Sequence, residues 1–123
     1  MTLIEAINTI NVLKPNAYSQ EEKVGWLSTL DGIIKANVID AHEGGEGVHF
    51  DGYNADTDLS TVLIVPAPYD NIYVKWLEAQ MYYTDGEYSR YNNAMRAYNS
   101  AYSSYERNYN RTHMPIGKKL KFF

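Results

Sequence analysis

The sequence predicts a mainly α-helical protein, in which four helices form a bundle and a small β-hairpin or loop excursion separates the second helix from the third. Two observations support this prediction. In the C-terminal half, large side chains recur at alternating spacings of three and four residues for about six turns, as on one face of a helix. Near the N-terminus, two capping-box patterns each precede an amphipathic run. The 123 residues suffice for one domain whose hydrophobic core needs neither a disulfide nor a metal.

The first helix is predicted over residues 3–13. Thr2 and Glu5 are three positions apart, as in a capping box, where each side chain accepts a hydrogen bond from the backbone N–H of the other residue. Apolar residues then fall on one face of the helix. Pro15 ends the helix, because proline lacks a backbone N–H and its ring clashes with the preceding turn.

The second helix is predicted to be longer. Ser19 and Glu22 repeat the spacing of the capping box and mark its start. We expect it to end near Glu43 and Gly44, because glycine commonly terminates a helix. Six apolar residues lie on one face of this helix: Trp26, Leu27, Leu30, Ile34, Val38 and Ala41.

The segment between the second and third helices has the composition of a loop with two short strands. Residues 43–60 contain four glycines and five acidic residues and show no helical periodicity. The stretches VHFDGY (48–53) and TVLIV (61–65) are rich in β-branched and aromatic residues, which favours a strand in each. A β-hairpin or a loop excursion beside the helices is therefore expected.

The third and fourth helices follow this excursion. Asp70 is expected to cap the third helix, which ends at the turn signal Asp85–Gly86, and the fourth helix then runs to Pro115. The fourth helix carries a tyrosine seam, which we define as Tyr88, Tyr91, Met95, Tyr98, Tyr102, Tyr105 and Tyr109. In one interpretation the rings pack on the third helix and keep their hydroxyls at a wet rim. In the other, part of the seam contacts another subunit, because Tyr and Met suit interfaces.

Charge divides the sequence into an acidic first half and a basic end. Residues 1–60 hold ten acidic and three basic residues, residues 61–123 hold five and eight, and the net charge is −4. The acidic loop of the excursion comprises Glu43, Glu46, Asp51, Asp56 and Asp58. The basic side chains from position 107 onward are Arg107, Arg111, Lys118, Lys119 and Lys121. We interpret residues 1–115 as a single helical domain and residues 116–123 as a basic arm that docks on an acidic partner, with a solvated tail and DNA contact as alternatives.

The sequence contains no pattern typical of a catalytic or metal site. His42, His49 and His113 are scattered, and neither a G-x-S-x-G motif nor a phosphate-binding glycine loop is present. A pattern like a calcium loop begins at Asn54 but has Leu59 where the loop needs glycine. We therefore predict no enzyme activity, no cofactor and no metal. The N-terminal MTLIEAINTI carries an acid where a signal peptide has basic residues, and no apolar run is long enough for a membrane span, which predicts a protein made in a cytoplasm.

Several short stretches carry a resemblance to a known group of proteins. In the C-terminal half they are PAPYD (66–70), Tyr73 followed by WLEA (76–79), GE (86–87), YNN (91–93) and YNRTHMP (109–115); in the N-terminal half the stretch is GWLSTLDGIIKANVIDAHE (25–43). With these residues the chain resembles the head-to-tail connector (adaptor) proteins of tailed phages and prophages of Gram-positive bacteria, which dock beneath the portal. The resemblance covers nearly the whole chain and rests on structural motifs.

The resemblance implies a connector-like helical bundle, copies of which form a ring below the portal around the DNA channel. The implied partners are further copies of the chain, the portal protein and a tail-side completion protein, with DNA passing through transiently; neither a membrane nor a small-molecule substrate is implied. The implied location is the head–tail junction of a virion assembled in the bacterial host cytoplasm, where the acidic loop faces the lumen or a neighbour. Two alternatives remain open: a tail completion protein, and a small prophage nucleic-acid-binding protein that uses the basic arm and stacked tyrosines.

Overall fold

The structure is a computed structural model that describes residues 1–116, and it contains four α-helices in this part of the chain. They are α1 (Leu3–Leu13), α2 (Gln20–Ile34), α3 (Ile72–Thr84) and α4 (Tyr88–Thr112). A π-helical turn, Lys35–Ile39, continues α2, and a 3-10 turn, Gly45–Gly47, follows it. The predicted class, mainly α with four helices, is confirmed.

The first two helices start where their capping residues predict. The Glu5 N–H donates to Thr2 Oγ1 at 3.2 Å, and the Thr2 N–H donates to Glu5 Oε1 at 3.1 Å, which completes a capping box. At the start of α2, the Glu22 N–H donates to Ser19 Oγ at 3.1 Å. These side chains satisfy N–H groups that have no partner within the helix, which is why both positions were readable from sequence.

The predicted cap of α3 is wrong by one residue. Asn71, not Asp70, is the N-cap residue, and its side chain makes no capping hydrogen bond. The Asp70 carboxylate instead forms a salt bridge with the N-terminal amine of Met1 at 3.4 Å. A charge that lies far away in sequence thus outcompetes the local N–H groups for this carboxylate.

The helices pack with defined directions around one core. α3 and α4 are antiparallel across the turn at Asp85 and Gly86, where Gly86 adopts a φ of 76°. α1 runs parallel to α3, because Met1 lies beside Asp70 and Lys14 Nζ lies 3.9 Å from Asp85 Oδ2. The largest buried aliphatic side chains come from α1, α2 and α3: Leu3, Ile10, Leu27, Leu30, Ile34, Ile72, Leu77 and Met81.

The predicted β-hairpin is not formed, and the excursion, residues 43–65, contains a 3-10 turn and one isolated bridge but no strand. TVLIV does not pair with VHFDGY. The Leu3 N–H donates to the Thr61 carbonyl at 3.0 Å, and the Leu63 N–H donates to the Met1 carbonyl at 2.9 Å. The first N–H groups of a helix lack intrahelical acceptors, so the start of α1 is a ready partner for an extended segment.

α2 also ends earlier than predicted, because its last turn widens. The Asp40 N–H donates to the Lys35 carbonyl five residues back, at 2.9 Å. Gly44 then adopts a φ of 83°, and a Cβ on Gly45 would lie 2.4 Å from the Ile39 carbonyl oxygen. Only glycine fits this reversal, which directs the excursion away from the axis of α2.

The tyrosine seam changes its surroundings along α4. Tyr98, Tyr105 and Tyr109 are buried, whereas Tyr88 is 60% exposed. The remaining members, Tyr91, Met95 and Tyr102, are half-buried. The rings closest to α3 are those of Tyr98, 4.9 Å from Trp76 between ring centroids, and Tyr91, 5.1 Å from Tyr83. Tyrosine, which has an apolar ring and a polar hydroxyl, therefore suits this helix, since one end of the seam is packed in the protein and the other end is exposed to solvent.

Replacing Tyr98 with alanine is expected to lower the free energy of unfolding by about 3 kcal/mol, because it removes a buried ring and leaves a cavity against Trp76. Urea unfolding of both proteins measures the difference. Tyr88→Ala, at the exposed end of the same seam, serves as the control and should change stability by less than about 0.5 kcal/mol. Equal effects of the two substitutions would contradict the packing described for Tyr98.

Candidate functional site

A buried carboxylate, Asp31 of α2, joins three parts of the fold. The Tyr73 hydroxyl of α3 donates to Asp31 Oδ1 at 2.6 Å, and the Tyr53 hydroxyl donates to Oδ2 at 2.6 Å. The Ile64 N–H also donates to Oδ2, at 3.1 Å, and the Tyr73 hydroxyl accepts from the Val65 N–H at 2.7 Å. This network fastens both ends of the excursion to α2 and α3.

The electrostatics of the network follow from its burial. Removal from water raises the pKa of Asp31 above the ordinary carboxyl value, and the three hydrogen bonds that it accepts oppose this shift only in part. Burial likewise raises the pKa of Tyr73 and that of Tyr53, which keeps both phenols protonated as donors. Because Asp31 has no exposed surface, a substrate has no access to it. We assign the network a structural role.

Asp31 was not among the predicted site residues, although the sequence contains a signal for it. It lies four residues after Leu27 and three before Ile34, on the apolar face of α2. A carboxylate on such a face is rare unless it is hydrogen-bonded. Its partners, however, come from positions 22 to 42 residues away, and no local pattern names them.

His42 is enclosed where the end of α2 meets the end of α4. Its Nδ1 lies 2.5 Å from the Val38 carbonyl oxygen, and its Nε2 lies 2.7 Å from Asn110 Oδ1. The Tyr109 ring contacts the imidazole edge-on, with 4.8 Å between ring centroids, and the His113 ring stacks on Tyr109 at 3.8 Å. Both ring nitrogens of His42 thus have protein partners, so this histidine is a packing residue.

His42 and His49, the two histidines nearest the acidic residues of the excursion, do not converge on a common site. His42 is buried, whereas His49 is exposed and contacts Asp51 at 2.7 Å. Within residues 1–116, no three His, Asp or Glu side chains form a group that could hold a metal ion.

The acidic loop lies on the surface of the excursion. All five of its carboxylates are exposed. Residues 36–74 contain seven acidic residues and no Lys or Arg, so cationic neighbours within this stretch are restricted to histidine. His49 provides one such contact, with Asp51. Asp56 and Glu46 make no salt bridge with another residue in the part of the chain that the structure describes.

The basic residues of α4 form a stripe, which we call the basic stripe: Arg96, Arg107 and Arg111. At 100° per residue, these three positions fall within about 60° of one another around the helix. All three are exposed, and none forms a salt bridge with another described residue. Arg107 and Arg111 were predicted as part of a docking arm, whereas Arg96 was missed. The other predicted members, Lys118, Lys119 and Lys121, lie outside the described residues.

Comparison with known proteins identifies no relative: no family model matches the chain, and no curated protein and no solved structure is similar to it. In the described part of the chain, no helix combines the length and the apolar composition that crossing a membrane requires.

Proposed function

We propose that this chain is a non-enzymatic structural subunit of a phage particle, a head-to-tail connector whose copies form a ring below the portal around the DNA channel. The resemblance of residues 25–43 and 66–115 to connector proteins supports this proposal. The observation that carries it is a pair of oppositely charged surfaces on one subunit, the acidic loop and the basic stripe.

These two surfaces face in different directions. Tyr105 and Tyr109 are buried on the side of α4 that meets the excursion. Arg107 is two residues from each of them, which places it about 160° away around the helix. The basic stripe therefore faces away from the excursion that bears the acidic loop. Because the two surfaces are turned apart within one chain, they do not pair with each other, and loop carboxylates such as Glu46 and Asp56 remain available to other molecules.

A ring of identical subunits requires two different, complementary surfaces on each subunit. Neighbours in a ring meet through a heterologous contact, in which one surface of each subunit binds a different surface of the next. The acidic loop of one copy and the basic stripe of the next satisfy this requirement by charge. The association then needs no symmetric patch, and the rotation between neighbours closes the ring.

Exposed apolar residues supply further contacts toward the two ends of α4. Val12 and Leu13, 81% and 64% exposed, lie at the end of α1, which reaches the start of α4. Met114 and Ile116, 52% and 48% exposed, follow the other end of α4. The helix between these ends has 25 residues and is about 37 Å long. In the proposed assembly, these two pairs meet the portal on one side and the completion protein on the other.

The nucleic-acid-binding alternative rests on the same basic stripe. Arg96 and Arg111 are about 22 Å apart along the axis of α4, a length that spans several phosphates of a DNA strand. The whole chain is nevertheless acidic, with a net charge of −4, and DNA-binding domains are usually strongly basic. We therefore favour protein partners for the stripe.

Quantitative mass spectrometry of purified, DNA-filled particles from the source phage or induced prophage tests the proposal. We expect the chain at a copy number comparable with that of the portal protein, because a connector ring stacks on the portal ring. Particles are treated with nuclease and washed in high salt first, so that loosely bound protein is removed. A chain that is abundant in infected cells but missing from washed particles would rule out the connector and favour the nucleic-acid-binding alternative.

A further inference from the structure

An open groove of about 430 Å³ runs along the face where α1 packs beside α3. Its apolar lining includes Leu13 of α1, Val74 of α3 and Ala97 of α4, with the Met1 side chain at one end. Val12, beside Leu13, is exposed, and residues 6–13 carry no charged side chain. The centres of protein interfaces are likewise depleted of charge. This face therefore has the composition of an interface centre.

Two opposite charges lie within the groove. Lys75 and Glu78 are three residues apart on α3, and both are half-buried. Neither forms a salt bridge with another residue of the described chain. A charge that is partly removed from water is stabilised by an opposite charge nearby. Each of these two charges therefore has a place for a counter-ion that another molecule supplies.

We propose that this molecule is a second copy of the chain, bound through the same groove about a twofold axis. In such a contact, residue i of one copy meets residue j of the other, and residue j meets residue i. A surface that carries one Lys and one Glu is then complementary to itself. Lys75 of each copy pairs with the partner's Glu78, and the two α3 helices stack antiparallel.

The apolar residues fit the same axis. α1 is parallel to α3, and the ends of the two helices are level with each other. The middle of α1 is therefore level with the midpoint of Lys75 and Glu78, to within about 2 Å along the helix axis. A twofold axis at this level places Leu13 of one copy over the Met1 end of the groove in the other. The apolar contacts and the two ion pairs thus form in one arrangement.

The size of the face predicts a weak dimer. α1 and α3 have 11 and 13 residues, so the face is about 16 to 20 Å long. Packed helices lie about 8–10 Å apart, so a face of two helices is at the small end of specific interfaces. The dimer covers Val12 and Leu13, which the proposed ring uses for another contact. That it holds free copies out of the ring rests on the proposed function, whereas the dimer itself does not.

Sedimentation velocity of the purified full-length chain tests the proposal, at concentrations from about 1 to 200 μM, which bracket a micromolar dissociation constant. We expect the average mass to rise toward that of two chains. Lys75→Glu and Glu78→Lys, each alone, place like charges opposite each other at both contacts and should weaken the dimer at least about tenfold. Glu21→Lys, at an exposed position on α2, changes the net charge as Glu78→Lys does and should leave the dimer intact.

The decisive measurement mixes the Lys75→Glu and Glu78→Lys chains in equal amounts. In a mixed dimer, both carboxylates of one chain face both lysines of the other, so the mixture should dimerise at concentrations where neither variant does alone. If the mixture stays monomeric at a concentration where the wild-type chain dimerises, these residues are not partners. A wild-type chain that is monomeric at every concentration also overturns the proposal.

Val12→Glu covers the case in which the variants at positions 75 and 78 misfold. Because Val12 is 81% exposed, the substitution leaves the core intact, but it places an unpaired charge in the apolar contact. The dimer should weaken at least about tenfold. Met114→Glu, an exposed apolar position away from α1, is the control and should dimerise as the wild-type chain does. Equal dimerisation of the Val12→Glu and wild-type chains contradicts the proposed contact.

Discussion

Replacing Asp31 with alanine is expected to lower the free energy of unfolding by about 3–5 kcal/mol, which is a large share of the stability of a small domain. The substitution leaves the hydroxyls of Tyr53 and Tyr73 and the N–H of Ile64 without their acceptor. Each buried group that loses its partner costs about 1–3 kcal/mol. Urea unfolding followed by circular dichroism measures the effect on the whole chain.

Two comparisons make this result specific. Asp51→Ala removes an exposed carboxylate of the excursion and should change the stability by less than about 0.5 kcal/mol. Tyr53→Phe removes only one donor and should cost less than Asp31→Ala, because the remaining groups of the network keep their partners. If Asp31→Ala were as stable as Asp51→Ala, the network would not fasten the excursion.

The raised pKa of Asp31 also gives the stability a dependence on pH. The folded chain binds the Asp31 proton more tightly than the unfolded chain, so this group favours the folded state fully below the ordinary carboxyl pKa of about 4. That contribution fades as the pH rises through the raised pKa. Relative to Asp31→Asn, which has no carboxyl group at this position, the wild-type chain should therefore lose stability from acidic toward neutral pH. Parallel pH profiles of the two proteins would contradict the assigned shift.

Reversing the charge of the basic stripe is expected to prevent particle assembly if the ring contact is as proposed. Arg107→Glu together with Arg111→Glu places carboxylates opposite the acidic loop of the neighbour, and like charges that face each other across an interface cost several kcal/mol. The measurement is the yield of infectious particles from a phage that lacks the gene and is complemented by the variant. Since a loss of 1.4 kcal/mol is a factor of about ten, the yield should fall at least about tenfold.

The decisive comparison restores opposite charges across the contact by reversing the charge of the acidic loop as well. Asp51→Lys and Asp56→Lys in the loop should reduce the yield when introduced alone, and should restore much of it when combined with the two reversed arginines. Arg90→Glu is the control, since Arg90 pairs with Glu87 within its own chain and lies outside the stripe. If the variant with all four substitutions assembles no better than the variants that carry only the loop substitutions or only the arginine substitutions, the acidic loop and the basic stripe are not partners in the ring.

The tyrosine seam shows which features of the fold a local sequence pattern can predict. Its alternating spacing predicts one continuous helix, and α4 contains all seven positions. The same spacing cannot tell Tyr105, which is buried, from Tyr88, which is exposed, because both are members of the same alternating series. The difference comes from what lies opposite, which is the excursion for Tyr105 and the chain turn for Tyr88.

The excursion shows the opposite case. The β-branched run TVLIV predicts a strand, but in the structure only Val62 forms an isolated bridge, with Thr2. A propensity for extended backbone does not name the partner of its hydrogen bonds. The start of α1 provides that partner, so a loop forms where a hairpin was expected. The Asp31 network also depends on tertiary packing, because its hydrogen-bond donors become neighbours only after the helices pack.

The sequence by itself determined the number and order of the helices, the capping of α1 and α2, and the opposite charges of the two halves. These features depend on hydrogen bonds and spacings within a few residues, which a linear pattern contains. Only the tertiary structure decided which end of the seam is buried, what holds the excursion, and that the basic stripe faces away from the acidic loop. These depend on contacts between residues that are distant in the chain, where packing and the satisfaction of buried polar groups select the partners.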